Sequence, residues 1–111
     1  MSLKYRNVRV EKIDLISAAG MLDMKANAYR RSRDGHVILE LRTKRKEEAW
    51  RLWRSLKVGK VHGPYKREGE KDLYLFQAFG EDKVRKVFKL VGPYIGPTLR
   101  CRIRKALRKE A

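Results

Sequence analysis

The residues best placed to do chemistry stand two apart at the end of one apolar stretch, ISAAGMLDMKANAY, where Asp23 is followed by Lys25. A carboxylate at a helix end can ligate a divalent cation or take a proton. An ammonium in the same place can do neither with a metal, but it can neutralise a phosphate directly. Other reactive groups are few. Cys101 is the single cysteine, so no disulfide framework or cysteine-based metal site forms within one chain. It lies among arginines, but the plainer reading is an incidental or buried thiol. His36 and His62 flank turn signals and read as ordinary hairpin residues.

The charge balance sets the class of partner. Twenty-nine Lys and Arg oppose thirteen Asp and Glu in 111 residues, a net +16. Self-repulsion of that size destabilises a compact fold unless a polyanion offsets it, which points to nucleic acid before an anionic membrane surface. A hydrophobic content of 42% is ample to close one core and argues against disorder. No stretch approaches transmembrane length or resembles a signal peptide, so a reducing, cytoplasmic setting and no membrane partner are expected. A nucleoid-associated protein, or one encoded by a phage or mobile element, fits that setting.

The elements that must position these residues follow from periodicity. Residues 1–9 read as a basic arm before a single domain over 10–111. A helix from about Val10 to Asp23 is apolar around much of its girth, which predicts burial on more than one side. NAYRRSR and HVILELRTK, joined by Asp34-Gly35, predict two strands and a type I′ hairpin. In the second strand Val37, Leu39 and Leu41 alternate with His36, Ile38, Glu40 and Arg42. RKEEAWRLWRSL predicts an amphipathic helix with Ala49, Trp50, Trp53 and Leu56 on its core stripe, closed by Gly59. KVHGPYKR and DLYLFQAF form a second hairpin, interrupted at Gly63-Pro64. EDKVRKVFKLV and the basic TLRCRIRKALRKEA supply two more helices, with Val84, Val87, Phe88 and Val91 on one stripe and Leu99, Ile103 and Leu107 on the other.

This order predicts an α+β domain, one four-stranded antiparallel sheet with helices on one face. The open face then carries Tyr29, Arg31, Arg33, His36, Glu40, Arg42 and Lys44. Over residues 30–46 seven Lys or Arg stand against two acids. A basic antiparallel face can enter a DNA major groove, where Arg and Lys hydrogen-bond guanine edges. Lys66, Arg67, Gln77 and Arg100 join the expected contacts. Leu73, Leu75 and Ile38 fit that role poorly; they suit thymine methyls or a protein-binding patch.

Ala18 to Ala26, AAGMLDMKA, resembles the LAGLIDADG motif of homing endonucleases, and the order αββαββα with an extra basic helix resembles that family's fold. Gly80 to Leu107 resembles its C-terminal half, so the likeness spans roughly residues 12 to 108. One motif copy implies a homodimer in which motif helices pack side by side. Ala18, Ala19, Gly20 and Asp23 would then lie at the contact, although small residues could instead ease packing within one subunit. Two basic saddles joined this way imply a long, palindrome-like duplex site. The resemblance also implies a divalent metal held by a carboxylate at the eighth motif position and a lysine opening the last helix. Those positions hold Lys25 and Leu99, and the acid at the sixth position is Asp23. A nuclease-dead, metal-free reader of double-stranded DNA, a transcriptional regulator for instance, is therefore expected, with no cofactor. Three rivals stand beside it: a magnesium-dependent endonuclease in which Asp23 takes the metal, an RNA-binding maturase-like protein, and a protein adaptor anchored by Leu73 and Leu75.

Overall fold

A computed structural model describes residues 12–108. The basic arm expected over residues 1–9 lies outside the described residues. Helix α1 (Lys12–Lys25) runs without a linker into β1 (Ala26–Arg30). There follow β2 (Val37–Thr43), α2 (Lys46–Leu56), β3 (Lys60–Tyr65), β4 (Leu73–Phe79), α3 (Glu81–Val91) and α4 (Pro97–Leu107). The four strands form one antiparallel sheet in the order β1-β2-β4-β3. No helix among the described residues is long and apolar enough to cross a membrane.

Register assigns each strand residue to a face. The helix-covered face carries Ala26, Leu41, Phe76 and Val61 in one row and Ala28, Leu39 and Ala78 in the next. Against these rows pack Ala18, Ala19 and Leu22 of α1, Leu52 and Leu56 of α2, Val84, Val87 and Val91 of α3, and Leu99 and Ile103 of α4. Each large aliphatic buried here contributes roughly 1.5–3 kcal/mol. Small β1 residues, Ala26 and Ala28, let α4 lie close along that edge strand.

Four local expectations are corrected. The β1–β2 hairpin is not a two-residue turn: Arg31 and His36 close the ladder, and residues 32–35 form the loop. Asp34 accepts the Arg31 guanidinium at 2.6–3.1 Å and the His36 amide at 3.1 Å, so its side chain organises a longer turn. Arg33 therefore sits at an exposed loop tip and not in a strand. Helix α2 is closed by Lys57 in the left-handed conformation (φ 60°), whose amide donates to Trp53 O, and not by Gly59. Trp50 is exposed and meets Trp53 edge-on, leaving Ala49, Leu52 and Leu56 as the buried stripe. Finally, among the described residues of one subunit α1 buries one side, and Ile16 and Met24 are exposed at 50% and 81%.

Candidate nucleic-acid interface

The open face of the sheet follows from the same register. Tyr29, Ile38 and Phe79 form one row, Asn27, Glu40, Gln77 and Lys60 the next, and Arg42, Leu75 and His62 a third. At one end, Arg31 lies over the Phe79 ring (5.2 Å) and His36 stacks obliquely on it (4.9 Å). Arg31 also holds the Asp34 carboxyl well below the usual carboxylate range, helped by the His36 amide. Ile38 is buried at 1% exposure between its Tyr29 and Phe79 neighbours, so it belongs to the floor of this face. Leu73 and Leu75 are half-buried.

Glu40 sits in the middle row at 8% exposure, with Arg42 donating to it at 3.4 Å. Burial, then the Glu40 charge and hydrogen bond, push the Tyr29 phenol up, so this tyrosine stays protonated at neutral pH and donates. A carboxylate fixed among donors on a cationic face can accept from a cytosine amino group, while Arg42, Lys60 and Gln77 offer donors or acceptors to other base edges. Lys66 projects beyond the strand ends, 2.9 Å from Asp72, which raises its pKa.

Where α1 meets the sheet, the strongest concentration of charge appears. Lys25, Arg42, Lys44, Arg45, Arg67 and Lys71 line one cleft of about 440 Å³. Two unit cations ~8 Å apart repel by roughly 0.5–2 kcal/mol at effective dielectrics between water and a protein surface. The described acid nearest Lys25 is Glu48, in the first turn of α2, which accepts from Lys25 Nζ at 2.8 Å and from the Thr43 hydroxyl. Thr43 also accepts from the Arg45 amide (3.0 Å), so the β2–α2 turn aims Glu48 at Lys25. Those two hydrogen bonds, Lys25 first, lower the Glu48 pKa. Arg67 donates to Lys71 O (3.1 Å), but its Nε is buried with no partner among the described residues.

The architecture has clear counterparts among solved structures. The homing endonuclease I-CvuI in complex with its target superposes with a TM-score of 0.67 at 19% identity, over 86% of this chain and 64% of that one. Intron-encoded I-CeuI complexed with DNA gives 0.62 at 14% identity, over 89% and 54%. The LAGLIDADG meganuclease I-CpaMI, bound to uncleaved DNA, gives 0.60 at 17%, over 85% and 35%. The fold is that of a LAGLIDADG homing endonuclease. No protein-family model and no curated protein matches the sequence. The chain spans less than two thirds of the length of these structural neighbours.

With the LAGLIDADG fold in place, the positions singled out from sequence can be located. The donor set at the end of α1 does not fit the divalent metal that the motif implies. Lys25 presents an ammonium there, and Glu48 is already engaged by it. The Asp23 carboxylate is committed elsewhere: both its oxygens accept from the Gly96 amide, at 2.9 and 3.0 Å, at the N-terminus of α4. Among the described residues no group of three or more His, Cys, Asp or Glu comes together. Leu99 is buried in the core stripe of α4. Arg100, expected on the nucleic acid, instead donates to Gly92 O and Ile95 O at 2.8 and 2.9 Å, closing the turn between α3 and α4. Carbonyls left unpaired at the end of α3 explain that capture. Ala18 and Ala19, expected at a dimer contact, are at most 1% exposed within the subunit, so their surface is spent on its own core.

Sequence reasoning missed Glu48, Arg45, Lys60, Lys71 and Phe79. Pairing the two hairpins in register would have found Lys60 and Phe79. Nothing in local periodicity signals Glu48, whose partner lies 23 residues away.

Proposed function

We propose that this protein is a metal-independent reader of double-stranded DNA that acts as a homodimer and does not cleave its site. The observation that carries the proposal is Lys25: where the motif calls for a metal-holding acid, the chain places an ammonium inside a cleft of six cations. That arrangement suits direct neutralisation of a backbone phosphate, the step that otherwise needs a metal between carboxylate and phosphate. The open sheet face, with Arg31, Arg42, Lys44 and Lys60 around Glu40 and Gln77, supplies groups for base edges in the major groove. Its fold neighbours I-CvuI, I-CeuI and I-CpaMI are bound to DNA, which supports the same use of this sheet.

Support for the homodimer comes from the exposed side of α1. Ile16, Gly20 and Met24 recur every four residues, one stripe of a helix. A Cβ added at Gly20 would meet nothing within 4 Å. Glycine within a helix costs about 0.8–1 kcal/mol relative to alanine, and nothing among the described residues requires it. A second α1 crossing at that point does.

The test is binding of the purified protein to duplex DNA as salt is varied, in EDTA and in magnesium. Contacts to about eight phosphates give a log–log slope near −7. Retention of affinity at high salt would refute a phosphate-dominated interface and favour a protein partner.

A further inference from the structure

A second concave site lies away from the α1 cleft, where edge strand β1 meets α4. Its volume is about 370 Å³, within the range of small-ligand pockets. Ala28 and Ala106 form part of its lining, leaving room that larger side chains would fill, and Tyr29, whose side chain belongs to the open face of β1, borders it. Arg102, Lys105 and Arg108 complete it with three cations, and no acid among the described residues lines it.

The use of the neighbouring groups narrows what the site can take. Arg30 also lines it, but its guanidinium is occupied with the carbonyls of Ala106, Leu107 and Gly35, at 3.1, 3.4 and 2.7 Å. It fixes the end of α4 against the hairpin turn. Arg104 lies over Phe88 (5.9 Å), on the α3 side. Arg102, Lys105 and Arg108 make no ion pair among the described residues, and every charged residue of α4 is basic. A small apolar surface bordered by a tyrosine, with several cations that make no ion pair among the described residues, matches a planar base bearing phosphate, the combination that single-strand sites use. Tyr29 belongs both to this cleft and to the open sheet face, so a strand can pass from one to the other around the β1 edge.

We infer that the β1–α4 cleft binds an unpaired nucleotide, its base against Tyr29 and the two alanines and its phosphates on Arg102, Lys105 and Arg108. The inference extends the nucleic-acid reading to a second site at the β1 edge, beside the face proposed for the duplex. The shared chemistry of a free nucleotide and of an unpaired residue in a strand is separated by the arms of the test.

Fluorescence anisotropy on the full chain in EDTA would use four probes: a labelled single-stranded octamer, an abasic octamer with the same phosphates, a blunt duplex, and a labelled adenosine monophosphate. The octamer is expected to bind at least tenfold tighter than its abasic counterpart. Arg102→Ala/Lys105→Ala should weaken octamer binding at least tenfold and change blunt-duplex binding less than threefold. Tyr29→Leu should reduce the preference for bases over abasic phosphates by about fivefold to a hundredfold. Binding of the mononucleotide that the double variant weakens would place a free nucleotide in the cleft as well; its absence would assign the site to strands. Equal binding of abasic and base-bearing octamers, or octamer binding indifferent to both variants, would overturn the inference. If blunt duplex fails to bind while the octamer behaves as described, the DNA-reader proposal falls and the cleft assignment stands.

Discussion

Gly20→Ala should move folding and assembly in opposite directions. Among the described residues of one subunit the new methyl meets no atom within 4 Å, so the helix gains its propensity difference of about 0.8–1 kcal/mol. For a domain of this size that raises the melting temperature by about 4–8 °C per kcal/mol. In a dimer whose α1 helices cross at Gly20, the same methyl enters the contact from both copies. Overpacking of a close interface costs roughly 1–3 kcal/mol per site, so two sites weaken association by at least about 2 kcal/mol, some thirtyfold in Kd. Sedimentation equilibrium measures the second effect, and melts at protein concentrations where the subunit is monomeric measure the first. A variant that dimerises as tightly as the wild type would show that the helices do not meet at Gly20. A lower monomer melting temperature would show that the glycine serves the subunit's own fold.

Lys25→Ala removes one phosphate contact per subunit, so the DNA salt slope of a dimer should shrink by about 1.8, at roughly 0.9 per phosphate. The same variant has a pH signature. The Glu48 pKa is lowered in the folded state chiefly by Lys25, so its stabilising contribution is present above the unfolded glutamate value of about 4.3. It is lost as pH falls through the lower folded value. Because Lys25 is 40% exposed and Glu48 26%, the pair is worth about 0.2–1 kcal/mol; denaturant curves should separate wild type from variant at pH 7 and converge as the pH falls through the lowered Glu48 value. Asp23→Ala frees the Gly96 amide at the start of α4 and should cost about 1 kcal/mol, read as a lower melting temperature. Arg100→Ala should destabilise by about 1–3 kcal/mol and leave the DNA salt slope unchanged, since its guanidinium closes the α3–α4 turn. Gly63→Ala should cost about 1–3 kcal/mol, because φ is +110° and a Cβ there would stand 2.7 Å from Leu73 O.

Sheet, helices and topology could be read from the chain because period-two and period-3.6 patterns report burial directly. The strands around Leu39 and Phe76 and the stripes of α3 and α4 are of this kind. Errors gathered where a polar side chain overrides backbone habit. Asp34 converts a two-residue turn into a longer loop by accepting from Arg31 and His36, and Lys57 adopts the left-handed conformation in place of a glycine. The site was only half visible for a related reason. Lys25 and Asp23 stand out by type, but their partners, Glu48 and Gly96, are 23 and 73 residues away. Sequence spacing carries no record of such contacts. Arg100 looked like a ligand for phosphate and is held by carbonyls; only geometry separates those uses.

The central claim, a DNA reader that needs no metal and does not cut, is tested most directly by selecting from a random duplex library with the purified protein, once in EDTA and once in magnesium. The account predicts enrichment of the same palindrome-like site in both buffers, with every bound duplex intact. Nicked or cleaved duplex in magnesium would contradict it.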